Sequence, residues 1–155
     1  MARRMIIQGN YGSVSAAQDC LRITAPTNGL MRLIELHVAQ DADETSEMLP
    51  FALYRASDNG TGTAANVQNL EYATQDSLGA IAGFSAVYNL SAATTKSPSA
   101  PLLREAVNIL SGFHFVPVPE ARPIASGNHR LVVRLETAPT NTLSLSVYAV
   151  VEIEG

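Results

Sequence analysis

The chain has 155 residues and a mass of 16.5 kDa, the size of one domain, and residues 1–155 are read as a single unit. Hydrophobic residues make up 46% and charged residues only 15%, against about 25% charged in an average domain, which excludes a coiled coil and charge-driven disorder. A net charge of -4 and a pI near 5.3 leave no basic footprint for nonspecific nucleic-acid binding, and no window nears the roughly 18 apolar residues of a membrane span, so neither partner is expected.

In chain order, Arg3 and Arg4 precede only Met5 to Ile7, far short of the roughly 7 apolar residues of a signal-peptide core. A protein made in the cytoplasm is therefore expected. Arg4 to Gln8 is a short β-rich run, and residues 1–8 are also read as an N-terminal arm. Asp19 to Thr24 sets Cys20 and Arg22 against Leu21 and Ile23. Cys20 is the sole cysteine, so no internal disulfide can form, and it reads as a small buried strand residue. Leu33 to Ala39 places Ile34, Leu36 and Val38 on one face and Glu35 and His37 on the other. Phe51 to Arg55 follows Pro50, which is allowed at a strand start. Residues 56–83, rich in Gly, Asn, Thr and Ala, read as a long loop insertion, with a helical turn or two between Val67 and Leu78.

Phe84 to Leu90 is aromatic and β-branched, and Ser91 to Pro101 is a second loop punctuated by Pro98 and Pro101. Ala106 to Leu110 and Phe113 to Val116 flank Ser111-Gly112, which predicts a turn or a bulge. Pro117, Pro119 and Pro123 then enforce an extended path that suits a sandwich edge. Leu131, Val133 and Leu135 alternate with Arg130, Arg134 and Glu136. From Leu143 to Ile153 every second residue is apolar. The five residues Thr137 to Asn141 between these runs predict an antiparallel hairpin. About eight or nine short strands with turn signals predict an all-β antiparallel sandwich or barrel.

Catalytic and metal motifs are sparse. Gly-x-Ser-x-Gly, His-Glu-x-x-His and a phosphate loop are all missing from the sequence. His37, His114 and His129 are separated by 77 and 15 residues, without a close pair to anchor zinc. The acidic run Asp41 to Glu47 begins with the two carboxylates of a calcium loop but lacks its central glycine and distal glutamate, and reads as a solvated connection. The reading is therefore of a protein that is not an enzyme, with no catalytic residues, no metal and no cofactor. Arg3 and Arg4, the only basic pair, are either a solvated terminus or an arm that docks on an acidic neighbour.

Three stretches resemble a known family: Gly112-Phe113-His114-Phe115-Val116-Pro117 with Pro119-Glu120-x-Arg122-Pro123; Leu131-Val132-Val133-x-Leu135 with Ala138-Pro139-x-x-x-Leu143-Ser144-Leu145; and Val151-Glu152-Ile153-Glu154-Gly155. Ala17-Gln18-Asp19-Cys20-Leu21 and Thr24-Ala25-Pro26 fit more loosely. The chain resembles small proteins encoded near the head genes of tailed bacteriophages and prophages, which decorate or cement the capsid. The resemblance implies a jelly-roll-like β-sandwich on the outer surface of the virion. It would act as a homo-oligomer, with trimer as the hypothesis, and the major capsid protein would be its partner. On that reading Arg3 and Arg4 make capsid contacts. The alternative is a head-fibre or tail-associated sandwich that binds a host-surface glycan through Tyr54, Tyr72, Tyr88 and Tyr148.

Overall fold

The run from Leu143 to Ile153 behaves as its spacing requires: every second residue is buried, the others half-buried, over one strand of twelve residues. That strand is the spine of the first of two sheets. The computed structural model describes residues 2–42, 46–70 and 81–155. Among them are twelve strands: β1 (Arg3–Val14), β2 (Gln18–Thr24), β3 (Leu30–Gln40), β4 (Met48–Ala56), β5 (Thr61–Ala64), β6 (Asn66–Asn69), β7 (Ser85–Ala92), β8 (Leu103–Asn108), β9 (Phe113–Phe115), β10 (Ile124–Ser126), β11 (Arg130–Leu135) and β12 (Leu143–Glu154). A 3-10 turn covers Pro119–Ala121.

All pairings are antiparallel. The first sheet runs β10-β3-β12-β1-β6, with β9 also on β3; the second runs β5-β7-β2-β11-β4-β8. The protein is an all-β antiparallel sandwich. Its core lies between the sheets, where Met5, Ile7, Leu36, Val147 and Ala149 meet Leu21, Ile23, Leu53, Leu131 and Val133. Phe51 of β4 stacks on Phe113 of β9 at 5.7 Å and 18°, tying the two sheets at one edge.

Five expectations need correction. Residues 3–8 are not an arm. They are the first half of β1, an interior strand between β12 and β6, with Met5 and Ile7 fully buried. The runs 131–135 and 143–153 do not form a hairpin. β11 pairs with β2 and β4, while β12 pairs with β1 and β3, so residues 136–142 cross from one sheet to the other. Both runs are apolar on one face, and facing each other across the core buries both stripes. Residues 56–83 are not all loop. β5 and β6 lie within them, one added to each sheet, and Val67 stands in a strand where a helical turn was expected; the rest of that expected helix, 71–80, lies outside the described residues. Finally, Ile34 is the extra residue of a β-bulge, since Glu35 pairs with Val150 and Leu33 with Val151. The bulge turns Met31 and Leu33 into the core and leaves Ile34 half-buried. β8 also begins three residues before the expected Ala106, and Gly112 closes the following turn at φ +76°.

Candidate functional site

The second sheet breaks the alternation rule on its outer face, and the reason is a strap. β7 ends at Ala92 on one side of the sheet, and the chain next pairs at Lys96 with Ala56 on the far side of β2 and β11. Residues 93–97 thus cross over the outer face. Beneath them Ala52, Tyr54 and Val132 are buried although they lie outside the core cluster.

Two carboxylates fasten the strap: Asp58, whose oxygens accept from the Thr95 amide and hydroxyl, and, buried beneath it, Asp19. Asp19 of β2 has no exposed surface. Its Oδ2 accepts from the Thr94 amide at 2.7 Å and the Thr94 hydroxyl at 2.8 Å. Lys96 Nζ donates to both oxygens at 2.6 and 2.7 Å, and an Arg134 nitrogen donates to Oδ1 at 2.9 Å. Burial pushes the carboxyl up, but donation from Lys96, Thr94 and Arg134 outweighs it and holds the group below the usual carboxylate range. The network continues through Arg134 to Glu136, which accepts from the Tyr54 hydroxyl at 3.1 Å, while Lys96 Nζ lies 5.8 Å from the Tyr54 ring centre. With both its oxygens engaged by these donors, the Asp19 carboxylate acts as a fastening.

A second polar cluster sits on the outer face of the first sheet. β3 and β9 place His37 directly opposite His114, so two histidines 77 residues apart in sequence stand edge to face at 5.2 Å. His114 Nε2 is 2.8 Å from a Glu35 oxygen, and the Tyr148 hydroxyl donates to the same oxygen. Donation from Tyr148 and His114 lowers the Glu35 carboxyl, and the same bond, with burial, pushes the Tyr148 hydroxyl up to about 12. Burial and the neighbouring His114 depress His37. Spacing alone gave no sign of this pair, because β-pairing across distant strands leaves no local motif. Among the described residues no group of three or more His, Cys, Asp and Glu is arranged to hold a metal ion.

The third feature is apolar. The proline-rich segment after β9 follows the sandwich edge, and Leu33 N donates to Pro123 O at 3.0 Å. It leaves Val116 60% and Val118 63% exposed, with Leu102 and Ile124 also exposed nearby. Between this segment and β8 lies a groove of about 480 Å³ lined by Leu53, Leu102, Leu103, Phe115, Arg122 and Ile124, among others. Isolated exposed apolar side chains are ordinary; here Leu102 and Ile124 line one groove together, and Val116 and Val118 are exposed on the adjoining proline-rich segment.

The residues singled out in the sequence fall as follows. Arg4 ion-pairs at 3.4 Å with Glu152 of β12, which Arg32 approaches at 3.6 Å, so its charge belongs to a cross-strand ladder. Arg3 opens β1 beside Pro26, Asn28 and Ile153 at one end of the sandwich. Cys20 is fully buried, and burial pushes its thiol up to about 11. Of the acidic run, Glu47 accepts from the Thr140 amide and hydroxyl and so clasps the 137–141 connection, while 43–45 lie outside the described residues. Of the tyrosines, Tyr54 is buried and Tyr88 packs against Gly9, while Tyr72 lies outside the described residues. Tyr148 borders a shallow trough of about 290 Å³ with Gln8, Asn10 and Ser146.

No protein-family model, curated protein or solved structure matches this chain.

Proposed function

We propose that the protein is a structural component of a tailed-bacteriophage virion that decorates and cements the capsid, working through buried contact area and not through chemistry. The observation that carries this reading is the exposed apolar groove along one sandwich edge, lined by Leu102, Phe115, Arg122 and Ile124. It is built partly from the segment 112–123, which also bears the family resemblance. An apolar centre with charged residues at its margin is the anatomy of a protein–protein contact. The wiring supports the jelly-roll form of the sandwich: β1, β3 and β12 lie in one sheet and β2, β4 and β11 in the other, so the chain passes repeatedly from one sheet to the other. The partner is the major capsid protein. A homotrimer at a three-fold position of the outer shell fits the closed symmetry of such lattices. Arg3 and Arg4 join the contact, on this reading, as part of a sheet end and not as a flexible arm.

Leu102→Asp, at an exposed side chain that lines the groove, is the direct test. The side chain is already exposed, so thermal stability should hardly move, while occupancy on purified capsids should fall by about tenfold or more, the loss of one hot-spot contact. Unchanged occupancy refutes the groove as the contact. A glycan-binding fibre or tail role draws support from Tyr148 and the polar trough beside it. Copy number per virion separates the two: hundreds of copies accord with decoration, a handful with a fibre or tail.

A further inference from the structure

The outer face of the second sheet buries an arginine without a carboxylate. Arg22 of β2 is only 5% exposed. One terminal nitrogen donates to the Asn59 carbonyl at 2.7 Å and the other to the Ser85 hydroxyl at 3.2 Å. Its Nε–H is buried and finds no acceptor. Arg130 of β11 reaches the same place: its Nε donates to Asn59 Oδ1 at 2.9 Å and a terminal nitrogen to Ser57 O at 3.1 Å. Thus Asn59 receives both guanidinium groups, one on its main chain and one on its side chain.

Between them stands Thr24. It pairs in register with Arg130 on one side and Ser85 on the other, so the three side chains share a row on the outer face. Thr24 is 4% exposed, and its hydroxyl also lacks a partner. Two buried, unpartnered polar atoms therefore sit on one strand two residues apart, Arg22 Nε and Thr24 Oγ1, with a second guanidinium beside them. Among the described residues neither Arg22 nor Arg130 makes an ion pair. The carboxylate that Arg130 acts on is Asp58, and both Asp58 oxygens are committed to Thr95. Two positive charges thus face one engaged negative charge.

A buried charge is normally paired, and a buried donor normally satisfied. Everything open at this place can donate: an Nε–H, a hydroxyl and the remaining guanidinium hydrogens. We propose that Arg22, Thr24 and Arg130 form a site for a small inorganic anion of halide size, beneath the turn at Ser57–Gly60. The ion completes the hydrogen bonding of Arg22 and Thr24 and balances the surplus charge. Because both guanidinium groups also hold Asn59, its binding secures that turn to the sheet.

Bromide and chloride are the probes. Crystals of the full chain grown or soaked in sodium bromide should show an anomalous peak within hydrogen-bonding reach of Arg22 Nε and Thr24 Oγ1. In solution, replacing gluconate by chloride at constant ionic strength should raise Tm saturably by about 2–4 °C, the shift expected for modest ligand stabilisation of a domain this size. Arg22→Gln removes the charge that requires the ion and should flatten that response. Thr24→Val, of nearly the same shape, should shift the chloride midpoint upward if Arg22→Gln fails to fold. A water with no bromide signal at this position overturns the proposal. So does an equal chloride response in the wild type and the Thr24→Val variant.

Discussion

Replacing Asp19 by Asn keeps the shape of the side chain and deletes its charge. In the folded protein that change strands Lys96 and Arg134, whose side chains are only 13% and 25% exposed, next to each other without the anion between them. Removing one partner of a buried ion pair costs about 3–5 kcal/mol. Lys96 keeps the Thr94 carbonyl at 2.9 Å and Arg134 keeps Glu136 at 3.6 Å, and partial solvent access weakens the repulsion, so the lower end, about 3 kcal/mol, is the expected loss. With a urea m-value of about 1.5–2 kcal/mol/M, the midpoint should fall by about 1.5–2 M with m unchanged. Local opening gives a second readout. The Thr94 amide donates to Asp19, so its hydrogen exchange should accelerate in the variant beyond what the global loss explains. Lys96→Met alone should cost less, because Asp19 would retain Thr94 and Arg134, and the double variant should show coupling. A loss below about 1 kcal/mol for Asp19→Asn, with no change at Thr94, would refute the view that this carboxylate fastens the strap.

Acidification should also weaken the fold through His37. Its folded pKa lies below the unfolded value, so the unfolded chain takes up the proton first; stability is full above about pH 6.5 and declines as pH falls toward the folded value. His37→Asn should flatten the stability slope between about pH 5 and 7, and an unaltered slope counts against the assignment. Asp19 acts lower on the scale: its depressed carboxyl contributes fully above the unfolded value near 4 and loses that contribution as pH falls through the folded one. Gly9→Ala should destabilise by about 1–3 kcal/mol by overpacking, since a Cβ there would come within 2.4 Å of the Tyr88 ring; thermal denaturation of Gly9→Ala against Gly9→Ala/Tyr88→Leu should show the ring's removal recovering part of the loss.

The elements legible in the sequence were those whose burial is one-sided. β12 shows strict alternation because its outer face meets solvent, and β3 shows it from Leu36 to Val38. β2 does not, since Asp19, Arg22 and Thr24 are buried on the outer face as fully as Leu21 and Ile23 are on the inner one. What covers them is distant in sequence, the strap over Asp19 and the turn at 57–60 over Arg22, and no local pattern announces either. β5 and β6 are four-residue edge strands whose Thr, Gly, Asn and Gln residues hold by backbone pairing, so they carried no apolar signature. The supposed hairpin shows a different limit. Turn chemistry at 137–141 marks a reversal, but whether the chain returns beside its predecessor or across the core depends on partners elsewhere: β2 and β4 for one strand, β1 and β3 for the other. Of the candidate sites, only the proline-rich edge beside the apolar groove was legible, because Pro117, Pro119 and Pro123 fall close together in sequence. His37 with His114, and Arg22 with Arg130, meet only through pairing of remote strands.

The place of β1 bears on how the molecule comes into being. Arg3 stands opposite Ile153 and Tyr11 opposite Leu145, so of the twelve strands the first made waits for the last made. Until then its inner residues, Met5 and Ile7, have only the short β6 beside them, through Val67 and Asn69. Loop closure over such a span is slow compared with local pairing. A nascent or partly refolded chain therefore carries an unfinished sheet with an apolar strand at its rim, a form prone to wrong partners. Growth conditions that slow synthesis or crowd the chains should act on yield through this interval, before any stability of the finished sandwich comes into play.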